Sequence, residues 1–252
     1  MQNQIQEKKA AELAATTLDS WGGSQKFTSR DVVIPKLVPL NFMSEKVKNK
    51  LGAYGDLRDT LNNEKLGDLE TPVEFIPFYI EKTWMEFDVV TNKAGAKKRE
   101  FKQVVKIDHT NDALPYVDEA ANIERDRVVN VYCLLPKQIE EGNSFPYVIP
   151  FRRTSVKAGN KVITQIMRNE RMGKVPAAVA MLLSARSVAN DDGEFVVLDT
   201  TTSRATTAKE MADCLEWYKL VASGVTKLDN SDYHEEAPVK GEKVVSAKEE
   251  KF

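Results

Sequence analysis

Four segments between Thr71 and Leu135 constrain the fold more than anything else in the chain. Val73 to Glu81, Trp84 to Val90, Glu100 to Ile107 and Arg127 to Leu135 are dense in β-branched and aromatic residues. Such residues pack well on a pleated surface, and the polar or Gly-containing breaks between them read as strand ends. Asn92 to Ala96 reads as a hairpin tip. Further on, Ala177 to Val188 and Glu194 to Asp199 flank Asn190, Asp191, Asp192 and Gly193, a hairpin signal because Asp and Gly tolerate positive φ. Between these strand blocks lies Phe145 to Lys174, read as a strand from Tyr147 to Arg153 that runs into a helix, with Ser155 placed to cap the first turn. On a wheel of 3.6 residues per turn, Val156, Val162, Ile163, Ile166 and Met167 of this helix share one side. Thr207 with Glu210 forms a capping box opening a second helix, whose stripe is Met211, Cys214, Leu215, Tyr218, Val221 and Ala222 and which Gly224 ends. The pattern predicts an α+β fold, a twisted antiparallel sheet of about six or seven strands packed by two main helices near 156–172 and 207–223.

The flanks are read differently. Residues 1–18 favour helix, but Ile5, Leu13 and Leu18 give only a thin apolar stripe, which fits a frayed terminal helix or a docking arm. Trp21 followed by Gly22, Gly23 and Ser24 reads as a joint, so residues 1–24 form an arm and linker ahead of one domain over 25–226. Two prolines within Asp31 to Val47 favour an extended edge segment, with a short helix from Ser44 to Leu51. Gly52 to Leu69 reads as an acidic surface loop with at most one helical turn. Residues 227–252 are charged and poor in large apolar residues, and read as a disordered acidic tail.

Charge is uneven along the chain although the net charge is only −2. In Phe145 to Lys174, Arg152, Arg153, Lys157, Lys161, Arg168 and Arg171 face away from the apolar stripe, a local positive field that calls for an anionic partner. A second basic segment, Asn92 to Lys106, contains Lys97, Lys98 and Arg99. Acids gather instead in Asp108 to Asp126 and in the tail, which could occupy a basic cleft, meet a partner protein or simply aid solubility. Tyr79, Trp84 and Phe101 interleave with the basic segments. Cations that follow phosphates, together with ring faces that stack exposed bases, make a surface for single-stranded DNA, whereas a duplex offers no base faces. Strand aromatics are also ordinary packing residues.

Catalytic chemistry has no footing in the sequence. GxxxxGK[ST], GxGxxG, GxSxG, HExxH and paired CxxC are all missing, and His109 and His234 read as solvated loop and tail residues. The expectation is a non-enzymatic binding protein with no cofactor and no metal. Cys133 and Cys214 read as core thiols of a reducing compartment. Lacking a long apolar run or a signal-peptide pattern, the chain is expected to be intracellular and away from membranes.

The run Asp31-Val-Val-Ile-Pro-Lys-Leu-Val-Pro-Leu, with Ser44-Glu-Lys-Val, the turn-rich Gly-Asp loop and Val73-Glu-Phe-Ile-Pro leading to Trp84, resembles small tailed-phage proteins that bind single-stranded DNA. Within that group it is most similar to the Drc type, which serves as a cofactor of RNA polymerase. The resemblance implies a fold distinct from the common DNA-binding barrels. It also implies a place in the host cytoplasm, in phage transcription beside a phage RNA polymerase or in replication, with homo-oligomer formation left open. The alternative is a phage structural or scaffold protein whose basic face meets an acidic protein surface.

Overall fold

Strand β5 (Val73–Thr91) runs 19 residues without a break, and the other strands of the main sheet are arranged around it. The computed structural model describes residues 32–42, 44–91, 97–169, 173–190, 193–224 and 227–228. The expected arm and linker, the tip at 92–96, Arg171 and the tail beyond 228 lie outside these.

One edge of β5 is shared by two partners. β10 (Val179–Asn190) pairs with Val73 to Phe75, and β6 (Lys97–Lys106) pairs with Thr83 to Thr91. Along the other edge β8 (Ile123–Leu134) pairs from Ile76 to Asp88. The outer side of β8 carries β9 (Tyr147–Arg152) and, at its opposite end, β7 (Val117–Asp118). β11 (Gly193–Ala205) closes the β10 edge through the expected hairpin, in which Asn190 is opposite Gly193 and Gly193 takes φ 123°. The result is the expected antiparallel sheet, of seven strands among the described residues.

The two strands expected at Val73–Glu81 and Trp84–Val90 are therefore one. Lys82 and Thr83 do not interrupt the ladder, because each has a partner on β8 and Thr83 Oγ1 accepts a bond from Asn130 Nδ2 at 3.2 Å. A polar pair satisfied inside a sheet mimics a break when read along one strand. Pro77 sits at a register shift between Pro77 and Tyr79, where its missing N–H is tolerated.

A second departure is the loop expected at Gly52–Leu69. It contributes β3 (Leu57–Asp59) and β4 (Lys65–Gly67), which join β2 (Leu37–Pro39) in a small antiparallel sheet; the short helix α1 (Glu45–Lys48) precedes them. Buried Asp56 ties this sheet, paired with Arg58 Nη2 at 2.9 Å and Lys65 Nζ at 3.0 Å. β1 (Val33–Ile34) pairs in parallel with β12 (Lys227–Leu228), so backbone pairing continues two residues into the stretch read as tail.

The sheet is packed on both faces, as strand alternation requires. Val129, Val131 and Cys133 of β8 point into one core with α3 (Val156–Arg168), while Tyr132 and Leu134 point into another with α4 (Ala208–Ala222). A short helix α2 (Pro136–Glu140) links β8 to β9 and buries Ile139. Helix α3 buries Ala158, Gly159, Val162 and Ile166; Met167, placed by the sequence on the same side, is 54% exposed at the margin. Ser155 does not cap α3. A 3-10 turn at Arg153–Ser155 leads into the helix, and the Ser155 hydroxyl accepts the Leu198 N–H of β11 at 3.0 Å. Helix α4 does carry the expected capping box, and Gly224 follows it at φ 70°. Its buried face is Glu210, Cys214 and Val221, however, while Met211, Leu215 and Tyr218 remain largely exposed. Cys133 and Cys214 are free and buried, and burial pushes the Cys214 thiol up to about 12.

Two stability tests follow. A Cβ built on Gly159 would lie 2.8 Å from Val129 Cβ and 2.9 Å from Phe151 Cβ, a contact between helix and sheet that neither can relieve by a rotamer change. Gly159→Ala should cost about 2 kcal/mol by denaturant unfolding, although alanine favours helix at an open site. Glu210 accepts bonds from Arg204 Nη2 at 2.6 Å and from Thr207 N at 2.7 Å. The Arg204 bond, opposed by burial, lowers its pKa from 4.5 to about 2. Because the folded value lies below the unfolded one, this contribution is complete above about pH 4.5 and is lost as pH falls toward 2. Glu210→Gln should flatten that part of the stability curve by about 1–2 kcal/mol, a figure reduced for solvent screening at half-exposed Arg204.

Candidate nucleic-acid interface

The basic surface begins where β9 becomes α3. Arg152, the last residue of β9, is exposed. Arg153 then adopts the left-handed conformation (φ 50°) that redirects the chain into the turn before α3. Along α3, Lys157, Lys161 and Arg168 project from the side opposite Ile166, as the helical period dictates. Lys161 Nζ donates to Asp199 Oδ1 of β11 at 3.0 Å, which anchors one member of the stripe to the sheet. Among the described residues, Arg152, Lys157 and Arg168 have no carboxylate partner.

The β6 cations behave differently. Lys97 is exposed and Lys98 lies 3.9 Å from Glu100. Arg99 Cζ lies over the Phe87 ring, 4.0 Å from its centre, and its guanidinium stands 3.2 Å from both Glu124 Oε2 and Asp126 Oδ1. The other oxygen of Asp126 accepts a bond from Arg153 Nε at 3.0 Å. The structure thus brings the two basic segments together, through a carboxylate that Arg99 and Arg153 share. Arg99 and Arg153 are ion-paired, which corrects the expectation that these two stand ready for phosphates.

All three aromatics pack against other rings, and Trp84 is buried outright. Trp84 is 1% exposed, donates from Nε1 to Asn111 O at 2.9 Å and meets Tyr116 edge-on. Its proposed stacking role is excluded by the loop after β6, which covers it. Phe101 is half-buried and meets Phe87 edge-on in a cluster with Met85 and Val128. Tyr79 is half-buried between Tyr132 and Tyr218. Trp84 is a core residue, and Phe101 and Tyr79 are partly committed to packing by their ring contacts.

A feature not read from the sequence lies beside α3. A groove of about 440 Å³ runs between the helix and the β5–β6 edge, walled by Ile80, Ile107, Ile163, Ile166, Met167 and Pro176 and lined also by Glu81, Lys82, Lys106 and Lys174. Lys106 Nζ is 3.0 Å from Glu81 Oε1. Exposed Met167 and half-exposed Ile107, each at the end of an apolar pattern, were the only signals of it. Among the described residues no cluster of His, Cys, Asp or Glu could hold a metal ion, and no helix is long and apolar enough to cross a membrane.

With the fold and surface laid out, comparison places the chain among bacteriophage proteins. A model of the Pam3 phage gp34-like proteins matches residues 3–227, most of the chain, and the chain belongs to that family. No curated protein and no solved structure matches it.

Burial of Trp84 has a testable cost. Trp84→Phe, which keeps an aromatic ring but leaves Asn111 O without its indole donor, should lower stability by about 1 kcal/mol in denaturant unfolding.

Proposed function

We propose that this phage protein binds single-stranded DNA without sequence preference, through the α3 face. The observation that carries the reading is the row of exposed cations Arg152, Lys157 and Arg168 on one helix face, without a carboxylate partner among the described residues, while their neighbours Arg153 and Lys161 are ion-paired. Positive charge left open on one helix face is what a flexible phosphate chain needs. The sequence resemblance to the Drc-type proteins supports a role at melted DNA, as an RNA polymerase cofactor in phage transcription or in replication, within the host cytoplasm. The protein binds and does not catalyse in this reading.

A second reading, a structural or scaffold component, draws on the exposed stripe of Met211, Leu215 and Tyr218 on α4, which suits a protein contact, a second copy included, better than a phosphate chain. Salt separates the two. Binding by the α3 cations should weaken linearly in log[salt], and Arg152→Ala with Lys157→Ala should reduce the slope by about 1.4, or about 0.7 for each lost phosphate contact. A slope unchanged in that double variant would remove the α3 face from the reading. Arg153 is left intact in this test because its partner Asp126 would otherwise be unpaired.

A further inference from the structure

We propose that the groove between α3 and the β5–β6 edge is a nucleobase subsite, taking the faces of unpaired bases while its lysines take the flanking phosphates. This rests on the single-stranded DNA reading and says where the bases go, now that Trp84 is a core residue and Phe101 and Tyr79 are partly committed to packing. The walls are hydrocarbon: Ile80 and Ile107 from the sheet, Ile163 and Met167 from the helix. The polar lining is net cationic: Glu81 is paired with Lys106, which leaves Lys82 and Lys174 for a phosphate. An unpaired nucleotide has the complementary make-up, a flat ring whose face gains by leaving water and a phosphate that needs a cation. A duplex does not, because its base faces are already stacked inside. An acidic peptide would satisfy the lysines, but Met167 at the groove wall and Arg168 on the basic stripe are neighbours in the last turn of α3, about a quarter-turn apart, so the groove and the cations lie at one end of the same helix. A flexible strand that turns round the end of α3 would meet both. Met167, unbranched and polarizable, adapts to any base, in keeping with binding that ignores sequence.

The test uses the full chain and two labelled probes in fluorescence anisotropy, oligo-dT and a strand of the same length built from abasic tetrahydrofuran sites. Oligo-dT is expected to bind about tenfold more tightly than the abasic strand. Met167→Ser, at a position exposed enough to spare the fold, should weaken oligo-dT about threefold and leave the abasic strand unchanged. Met167→Trp should tighten oligo-dT binding and gain an emission that the strand quenches. Equal binding of both strands, with Met167→Ser and Met167→Trp like the wild type and a preserved salt slope, overturns the base subsite while leaving the phosphate-binding face in place. No binding of either strand at low salt overturns both readings.

Discussion

The unbroken run of β5 is the constraint on which the rest depends. A strand of 19 residues is long enough to be shared, and each edge of the two-strand unit it forms with β8 is divided between partners. β10 and β6 take successive parts of the outer edge of β5, while β9 and β7 take those of β8. Because side chains alternate along a strand, the same β8 residues commit both faces at once: Val129 and Val131 to the core beneath α3, Tyr132 and Leu134 to the core beneath α4. Helix α3 is set against the sheet by Gly159, whose missing side chain admits Val129 and Phe151, and by Ser155, which ties the helix start to β11. The direction of its basic face follows from that seating.

Charges segregated along the sequence are not segregated in space. Antiparallel pairing folds the acids of 108–126 and of β5 back across the basic hairpin: Asp88 on Lys102, Glu81 on Lys106, Asp112 on Arg127, and Asp126 on both Arg99 and Arg153. Exposed pairs of this kind contribute little stability, about 0–1 kcal/mol each. Their larger effect is on the field, since each carboxylate offsets the charge of the cation it meets. The buried pair of Arg125 with Glu86 at 2.7 Å is different, and losing one partner there would strand a charge inside the sheet at a cost of roughly 3–5 kcal/mol. On the α3 face Arg152, Lys157 and Arg168 escape this pairing and share one side of a helix, and the function proposed follows from that arrangement.

Features set by local chemistry were legible in the sequence. The capping box of Thr207 and Glu210 lies within one turn, the hairpin at Asn190 to Gly193 within four residues, and both are present. The fold class followed from the strand blocks and two helical stripes. Distant partners were not legible. Ser155 reads as a cap until Leu198 supplies the amide it accepts, Lys82 and Thr83 read as a break until β8 pairs with them, and Trp84 reads as a stacking platform until the Asn111 loop covers it. The small sheet of β2, β3 and β4 escaped notice because three-residue strands leave no alternating pattern to see. Of the candidate site, the α3 cations were legible because a helix places them by period alone; their cancellation elsewhere, and the groove, needed the sheet.

The most direct measurement is the affinity of the intact chain for a labelled single strand beside the matching duplex, at low salt and again at physiological salt. Tighter binding to the single strand, falling steeply as salt rises, is the result expected of an open cationic helix face beside an apolar groove. Equal and feeble binding to both, insensitive to salt, would contradict the account and leave the basic face to a protein partner.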